Sequence, residues 1–310
     1  MFNREVGRNK DTGAREESHK PAARKLAARR LRRALLLLLP VVVLIAALDV
    51  RLRTVTYRVE TDKVSAPIRI ALLTDLHGCP YGVAMRTLLE AVGRSRPDAV
   101  LFGGDIFDDR LADGNTDIVL AALSARHPCY FTTGNHEYWR GDAADIKQHV
   151  RGYGITVLEG NRATLSIGGQ QVVVAGVDDP DAFVDAAYRR EPPAGDGFSG
   201  QLQQAGTGID ARIFTILLTH RPERIRSYMA YPFDLILAGH AHGGQWRVPG
   251  LVNGLLAPDQ GWFPPYAGGL YDFGKTAFIV SRGLARESTR IPRLFNRPEL
   301  VVVDIVPAGD

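Results

Sequence analysis

What most constrains this chain is a recurrence: five short apolar runs, each closing on residues that bind hard or borderline metal ions. Ile68–Thr74 closes on Asp75-Leu76-His77, Ala99–Phe102 on Gly103-Gly104-Asp105, and Cys129–Thr133 on Gly134-Asn135-His136-Glu137. Ile213–Thr219 closes on His220, and Leu235–Leu237 leads into Gly239-His240-Ala241-His242-Gly243. A single Asp after a strand is ordinarily a helix cap, and a His-x-His pair is as often structural as metallic. Five strand ends of this kind in one chain are not explained that way. Five of the eight histidines lie in them, with only His19, His127 and His149 outside. In an extended segment residues i and i+2 point the same way, so His240 and His242 are expected to face one site. Ligands delivered at the carboxyl ends of strands fit an open α/β sheet.

Taken in order, Asp75-x-His77, Gly104-Asp105, Gly134-Asn135-His136-Glu137, His220 and Gly239-His240-x-His242 resemble the five blocks of the calcineurin-like metallophosphoesterases. The resemblance extends from about Ile68 to Ile305. Gly176-Val-Asp-Asp-Pro180, Gln260-Gly-Trp262, Ser281-Arg-Gly283 and Phe295-Asn-Arg-Pro298 are similar to a membrane-anchored bacterial branch of phosphodiesterase-like members. The resemblance implies two divalent ions, one bound by Asp75, His77 and His242, the other by Asn135, His220 and His240, with Asp105 bridging. It implies that His136 acts on the leaving oxygen as a general acid or charge stabiliser. Glu137 is expected to support the ligands rather than to join them.

The residue types agree with that chemistry. Asp, Asn and His suit manganese first, with iron or zinc as alternatives, and no thiolate biases the set toward soft metals. Two cations roughly 3.5–4 Å apart can share a hydroxide and stabilise the charge that develops during in-line displacement. Protein-phosphatase relatives place an Arg close after the block corresponding to Asp105. Here Ile106-Phe107-Asp108-Asp109-Arg110 carries it shifted and behind two acids, which argues against a phosphoprotein substrate.

The formal charge of +4 is unevenly distributed. Residues 1–33 hold 11 Lys/Arg and 4 Asp/Glu, a net of +7, so residues 34–310 carry +4 less +7, or −3. The basic balance belongs to the N-terminal arm and gives no reason to expect nucleic-acid binding. After Arg29-Arg30-Leu31-Arg32-Arg33 comes an uncharged stretch, Ala34–Leu48, read as a retained signal anchor over residues 34–50 in preference to a buried core helix. The positive-inside rule then places residues 1–33 in the cytoplasm and the rest outside the cytoplasmic membrane. Arg32-Arg33 is also similar to a twin-arginine export core. Residues 1–28 are expected to be disordered. Cys79 and Cys129 fall at opposite ends of strands, which predicts no disulfide between them.

The expected architecture over residues 51–310 is a two-sheet α/β sandwich with the metal site along one edge. The pattern predicts strands at Thr54–Thr61, Ile68–Thr74, Val100–Gly103 and Tyr130–Thr133, and helices at Val83–Arg94, Thr116–Arg126 and Asp142–Arg151. Thr156–Leu158, Ala163–Ile167 and Gln171–Val177 are expected as antiparallel, hairpin-linked strands. Thr276–Ser281 and Glu299–Val306 are expected to close the second sheet. Pro192–Asp210, rich in Gly, Pro and Gln, reads as a mobile insertion.

The leading functional expectation is a binuclear metal-dependent phosphoesterase acting on a phosphodiester or pyrophosphate. A lipid-linked or envelope-precursor substrate is expected, because the short tether keeps the site near the bilayer. A phosphomonoesterase or protein phosphatase, and a catalytically silent metal-binding membrane protein, stand as alternatives. Trp262-Phe263-Pro264-Pro265-Tyr266 is read in two ways, as a lipid-contacting loop or as a cap on the core.

Overall fold

The computed structural model describes residues 20–184, 197–286 and 291–309. The chain divides into two compact units, Met1–Ala47 and Leu48–Asp310. In the first unit the described residues form a single helix, α1 (Lys20–Ala47), with Pro40 inside it. Its Ala-, Leu-, Lys- and Arg-rich sequence favours helix. The expectation of disorder through residue 28 is therefore corrected from Lys20 onward, while residues 1–19 lie outside the described residues. The uncharged portion, Ala34–Ala47, gives about 21 Å at ~1.5 Å per residue, against a hydrocarbon core of ~30 Å. No described helix is long and apolar enough to cross a membrane.

The second unit is built on two six-stranded sheets. Its chain runs through β1 (Arg53–Thr61), β2 (Ile68–Leu73), α2 (Arg86–Ser95), β3 (Ala99–Gly103), α3 (Gly114–Ser124), β4 (Cys129–Thr132), α4 (Asn135–Trp139), α5 (Ala143–Gly152) and β5 (Thr156–Val157). It continues through β6 (Arg162–Ile167), β7 (Gln170–Gly176), α6 (Phe198–Gly206), β8 (Phe214–Leu218), α7 (Ile225–Tyr228) and β9 (Leu235–Ala238). A small hairpin, β10 (Leu256–Ala257) with β11 (Gly261–Trp262), precedes β12 (Gly269–Asp272), β13 (Ala277–Val280) and β14 (Glu299–Pro307). The first sheet has the order β1-β14-β2-β3-β4-β5 and the second β12-β13-β9-β8-β7-β6.

Alternation along each strand explains the layering. Ile70 and Leu72 of β2 pack between the sheets with Ile216 and Leu218 of β8 and Leu235 and Leu237 of β9. The intervening Ala71 and Leu73 face the other way, onto Leu88 and Val92 of α2 and Val119, Leu120 and Leu123 of α3. On the second sheet, Ile236 and Ala238 meet Leu202 of α6 and Ile225 and Tyr228 of α7. Strands buried on both faces read as continuous apolar runs, which is why the ligand-bearing strands are so legible.

Three expectations about topology are corrected. β5 pairs in parallel with β4 (Tyr130 opposite Thr156), so it belongs to the first sheet, and the antiparallel hairpin there is β6–β7 alone. β14 also lies in the first sheet, parallel to β1 and antiparallel to β2, while β13 lies in the second. Part of the expected mobile insertion is α6, which buries Phe198, Leu202 and Ala205 on one face; residues 185–196 lie outside the described residues. Cys79 and Cys129 are buried and form no disulfide.

Candidate metal centre

The strand ends converge as expected, by a route that strand geometry does not give. β2 ends at Leu73 and β9 at Ala238. Asp75, His77, Asp105, His240 and His242 then all take left-handed backbone, with φ of 51°, 49°, 51°, 65° and 47°. The extended i, i+2 argument is corrected accordingly: His240 and His242 are not in extended chain and join different groups. One group gathers ligand atoms of Asp75, His77, Asp105 and His242 within 4.8 Å of one another, and a second gathers Asp105, His220 and His240. Asp105 belongs to both.

The rings of His220, His240 and His77 are each oriented by what the other nitrogen does. The Nδ1–H of His220 donates to the Gly103 carbonyl at 2.9 Å, which leaves Nε2 facing Asp105 Oδ2 at 3.1 Å. His240 has Nε2 2.9 Å from Asp259 Oδ2 and Nδ1 3.2 Å from His220 Nε2. His77 has Nδ1 2.9 Å from Asp108 Oδ2 and Nε2 3.6 Å from Asp105 Oδ2. A hydrogen bond behind the ring fixes which nitrogen is offered to a metal.

The residues fit divalent ions on two counts. First, His220 Nε2 and His240 Nδ1 face each other at 3.2 Å, two ring nitrogens that need a cation or a proton between them. Second, Asp75 Oδ2, His77 Nε2, Asp105 Oδ2, Asn135 Oδ1 and His242 Nδ1 are buried with no hydrogen-bond partner among the described residues. Stranding that many polar atoms costs roughly 1–3 kcal/mol each unless something binds them. Burial opposes a charge on His220, but the carboxylates of Asp105 and Asp75 outweigh it and hold its pKa up to about 10. The field that favours a proton there also favours a metal cation.

His136 stands beside these groups, partly exposed, with Nδ1 2.8 Å from Asp109 Oδ1. Its ring meets His77 edge-on at 4.4 Å and Trp139 at 4.5 Å. Its backbone N–H donates to Asp105 Oδ1 at 2.9 Å. Glu137 is fully buried and accepts from the backbone N–H groups of Asp105, Ile106, Phe107 and Gly134 at 2.7–3.1 Å. It holds the Asp105 loop and is not among the ligand groups.

Several contributors were not singled out from the sequence. Asp108 and Asp109, noted only as acids ahead of Arg110, orient His77 and His136. Arg221, next to His220, is buried and held at both ends of its guanidinium by Asp179 (2.5 and 2.9 Å) and by Asp259. Asp179 lies in the noted Gly176–Pro180 segment. Asn296 of the Phe295–Pro298 segment donates to the His242 carbonyl at 2.7 Å, and Gly283 clears space for Asp75. The aromatic loop divides: Tyr266 packs on Tyr271 and Phe278, while Trp262 and Phe263 are 67% and 65% exposed.

Residues 68–244 match the family described as calcineurin-like phosphoesterase. The chain is 30% identical to phosphodiesterase YaeI of Escherichia coli (strain K12), over 78% of this chain and 83% of that one. It is 29% identical to the uncharacterized metallophosphoesterase YkuE of Bacillus subtilis (strain 168), over 76% and 77%. Among solved structures, the NAD nucleotidase of Haemophilus influenzae matches with a TM-score of 0.44 at 15% identity, over 70% and 51%. With 177 of its 310 residues inside the family match, the chain belongs to the calcineurin-like phosphoesterases and is a metal-dependent phosphoric ester hydrolase.

Proposed function

We propose that this hydrolase cleaves a phosphodiester or pyrophosphate bond using two divalent cations, manganese first among the candidates. Asp75, His77 and His242 would hold one ion, Asn135, His220 and His240 the other, and Asp105 would serve both. One observation carries the reading: two ligand groups overlap at a single buried carboxylate. Two divalent ions held by these residues would supply charge neutralisation at the phosphoryl oxygens and a more acidic water for in-line attack. His136 serves the leaving oxygen through Nε2, because Asp109 Oδ1 occupies its Nδ1 at 2.8 Å. Trp139 packs against that ring at a tilt, with centroids 4.5 Å apart.

Cleavage of a diester is supported by the relative named as a phosphodiesterase. Arg110 stands behind Asp108 and Asp109 and pairs with Asp109, a placement that argues against a phosphoprotein substrate. A lipid-linked substrate is supported by the exposed Trp262 and Phe263 on the hairpin that also carries Asp259. Attachment to the cytoplasmic membrane, with the second unit outside, is supported by the step from Arg29–Arg33 to the uncharged Ala34–Leu48. Protease added to intact spheroplasts should digest that unit; digestion only after lysis would reverse the assignment.

The central test reloads metal-depleted protein with manganese, iron or zinc and assays bis(nitrophenyl) phosphate, nitrophenyl phosphate and a lipid pyrophosphate. Turnover of the diester or pyrophosphate at two ions per chain is expected. A preference for the monoester, or full activity with one ion, would overturn the proposal.

A further inference from the structure

We propose that Asp259 is the positioning residue that decides which nitrogen of His240 faces the metal. The proposal rests on the two-ion reading above. Asp259 sits at the tip of the β10–β11 hairpin with φ 55°, and its Oδ2 lies 2.9 Å from His240 Nε2. The opposite nitrogen, Nδ1, points at His220 Nε2, 3.2 Å away, inside the second ligand group. A neutral imidazole carries one proton. A carboxylate can only accept, so Asp259 draws that proton to Nε2 and leaves Nδ1 bare for the cation.

A competing donor makes this choice consequential. Nη1 of Arg221 lies 3.2 Å from the same His240 Nε2. A guanidinium can only donate. Without Asp259, Arg221 would bond the Nε2 lone pair and send the imidazole proton to Nδ1, the position the metal needs. Arg221 cannot swing away, because Nε and Nη2 are both fixed on Asp179 and its side chain is only 6% exposed. Asp181 lies 3.1 Å from Nη2 and Glu223 3.9 Å from Nη1, so Arg221 keeps counter-charges when Asp259 is lost. Asp259 therefore takes two donors at once, the His240 Nε2–H and Arg221 Nη1.

The backbone at residue 259 permits a clean test on the full chain. Glycine adopts positive φ freely, so Asp259→Gly removes the carboxylate and keeps the turn. Asparagine also tolerates that region and retains an acceptor oxygen. Manganese titration by calorimetry, with metal stoichiometry and electron paramagnetic resonance, should show Asp259→Gly losing ~10–100-fold in affinity for one ion while the other is held. The spin-coupled two-ion signal should give way to that of an isolated ion at limiting manganese. Asp259→Asn should recover most of the affinity. Equal weakening of both ions, no weakening, or an Asn variant no better than Gly would overturn the proposal. Should the Gly variant fail to fold, nitrogen-detected imidazole spectra of metal-free wild type decide, since His240 must carry its proton on Nε2. A wild-type protein that binds fewer than two ions would instead refute the two-ion reading on which the proposal rests.

Discussion

Replacing Gly283 with alanine should cost stability and, separately, one metal ion. Gly283 has φ 71°, and a Cβ built on it would lie 2.6 Å from the Cβ of Asp75, 2.7 Å from its Oδ2 and 2.9 Å from its Cγ. The backbone here cannot retreat. The Gly283 carbonyl accepts from Glu299 N–H at 3.0 Å, and the next N–H, of Leu284, donates to the Thr74 carbonyl at 3.0 Å. Asp75 must therefore move, and its Oδ2 is one of the buried oxygens with no hydrogen-bond partner among the described residues. Forcing a residue with a Cβ into left-handed backbone costs ~1–2 kcal/mol, and overpacking adds ~1–3 kcal/mol, for a total of ~2–5 kcal/mol.

Gly274 supplies the control. Its φ is 78°, but a Cβ there meets nothing within 4 Å. Gly274→Ala should incur only the backbone cost and leave metal binding unchanged. At ~2–4 °C per kcal/mol, metal-free Gly274→Ala should melt about 2–8 °C below wild type and Gly283→Ala about 4–20 °C below it. If the proposed two-ion assignment holds, manganese stoichiometry on the folded proteins should fall from two toward one in Gly283→Ala, because the ion proposed at Asp75, His77 and His242 would lose a ligand. Identical melting of the two variants, or two ions retained at wild-type affinity in Gly283→Ala, would refute the reasoning.

Asp105→Ala should lose both ions. His136→Ala should keep them while turnover falls by ~10²–10⁴; metal loss in His136→Ala equal to that in Asp105→Ala, measured by elemental analysis, would contradict the role given to His136. Changing Trp262 and Phe263 together to Ser should slow cleavage of a micellar lipid substrate far more than that of a soluble diester, and equal losses would remove the lipid-contact reading. Burial opposes the charge on Lys147, but Asp178 at 2.7 Å outweighs it and raises the amine's pKa above its usual value. That pairing stabilises the fold fully below the unfolded-state value of about 10.4 and is lost as pH rises through the higher folded value. Lys147→Met should therefore be less stable than wild type at neutral pH, with the gap in denaturant midpoint narrowing in strong alkali.

The parts of this protein legible in its sequence are those governed by local periodicity. β2, β3, β4, β8 and β9 are buried on both faces, so each reads as an apolar run whose end is easily marked. What sequence order cannot carry is the long-range pairing. β14 inserts between β1 and β2, more than two hundred residues away, and nothing in Glu299–Val306 distinguishes that slot from one in the other sheet. β5 is only two residues long, too short for a periodic signal. α6 was obscured because glycines and glutamines surround its Phe198, Leu202 and Ala205 face. The supporting carboxylates were hidden for a related reason: Asp109 lies 27 residues from His136, and Asp259 lies 19 from His240.

The left-handed residues of the site show where the strand argument departs from the path the chain takes. Alternation would carry His240 and His242 to one side of a strand, yet His240 sits with His220 and Asp105, and His242 with Asp75 and His77. Five left-handed non-glycine residues would together cost several kcal/mol if unsupported. Here the supports are built into neighbouring loops. Asp75 N–H donates to the Gly104 carbonyl and His77 N–H to the Asp105 carbonyl, both at 3.0 Å, so the β2 and β3 loops continue a ladder past the strands. Glu137 gathers the Asp105 loop, Asp75 Oδ1 accepts from His240 N–H at 2.9 Å, and Asn296 holds the His242 carbonyl. Each bond contributes on the order of 1 kcal/mol, comparable to the strain at one residue. Bonds within the protein chain therefore offset the strain at these residues. Asp and His are among the residue types that tolerate this backbone best, so the residues that suit the metal also suit the turn that presents them.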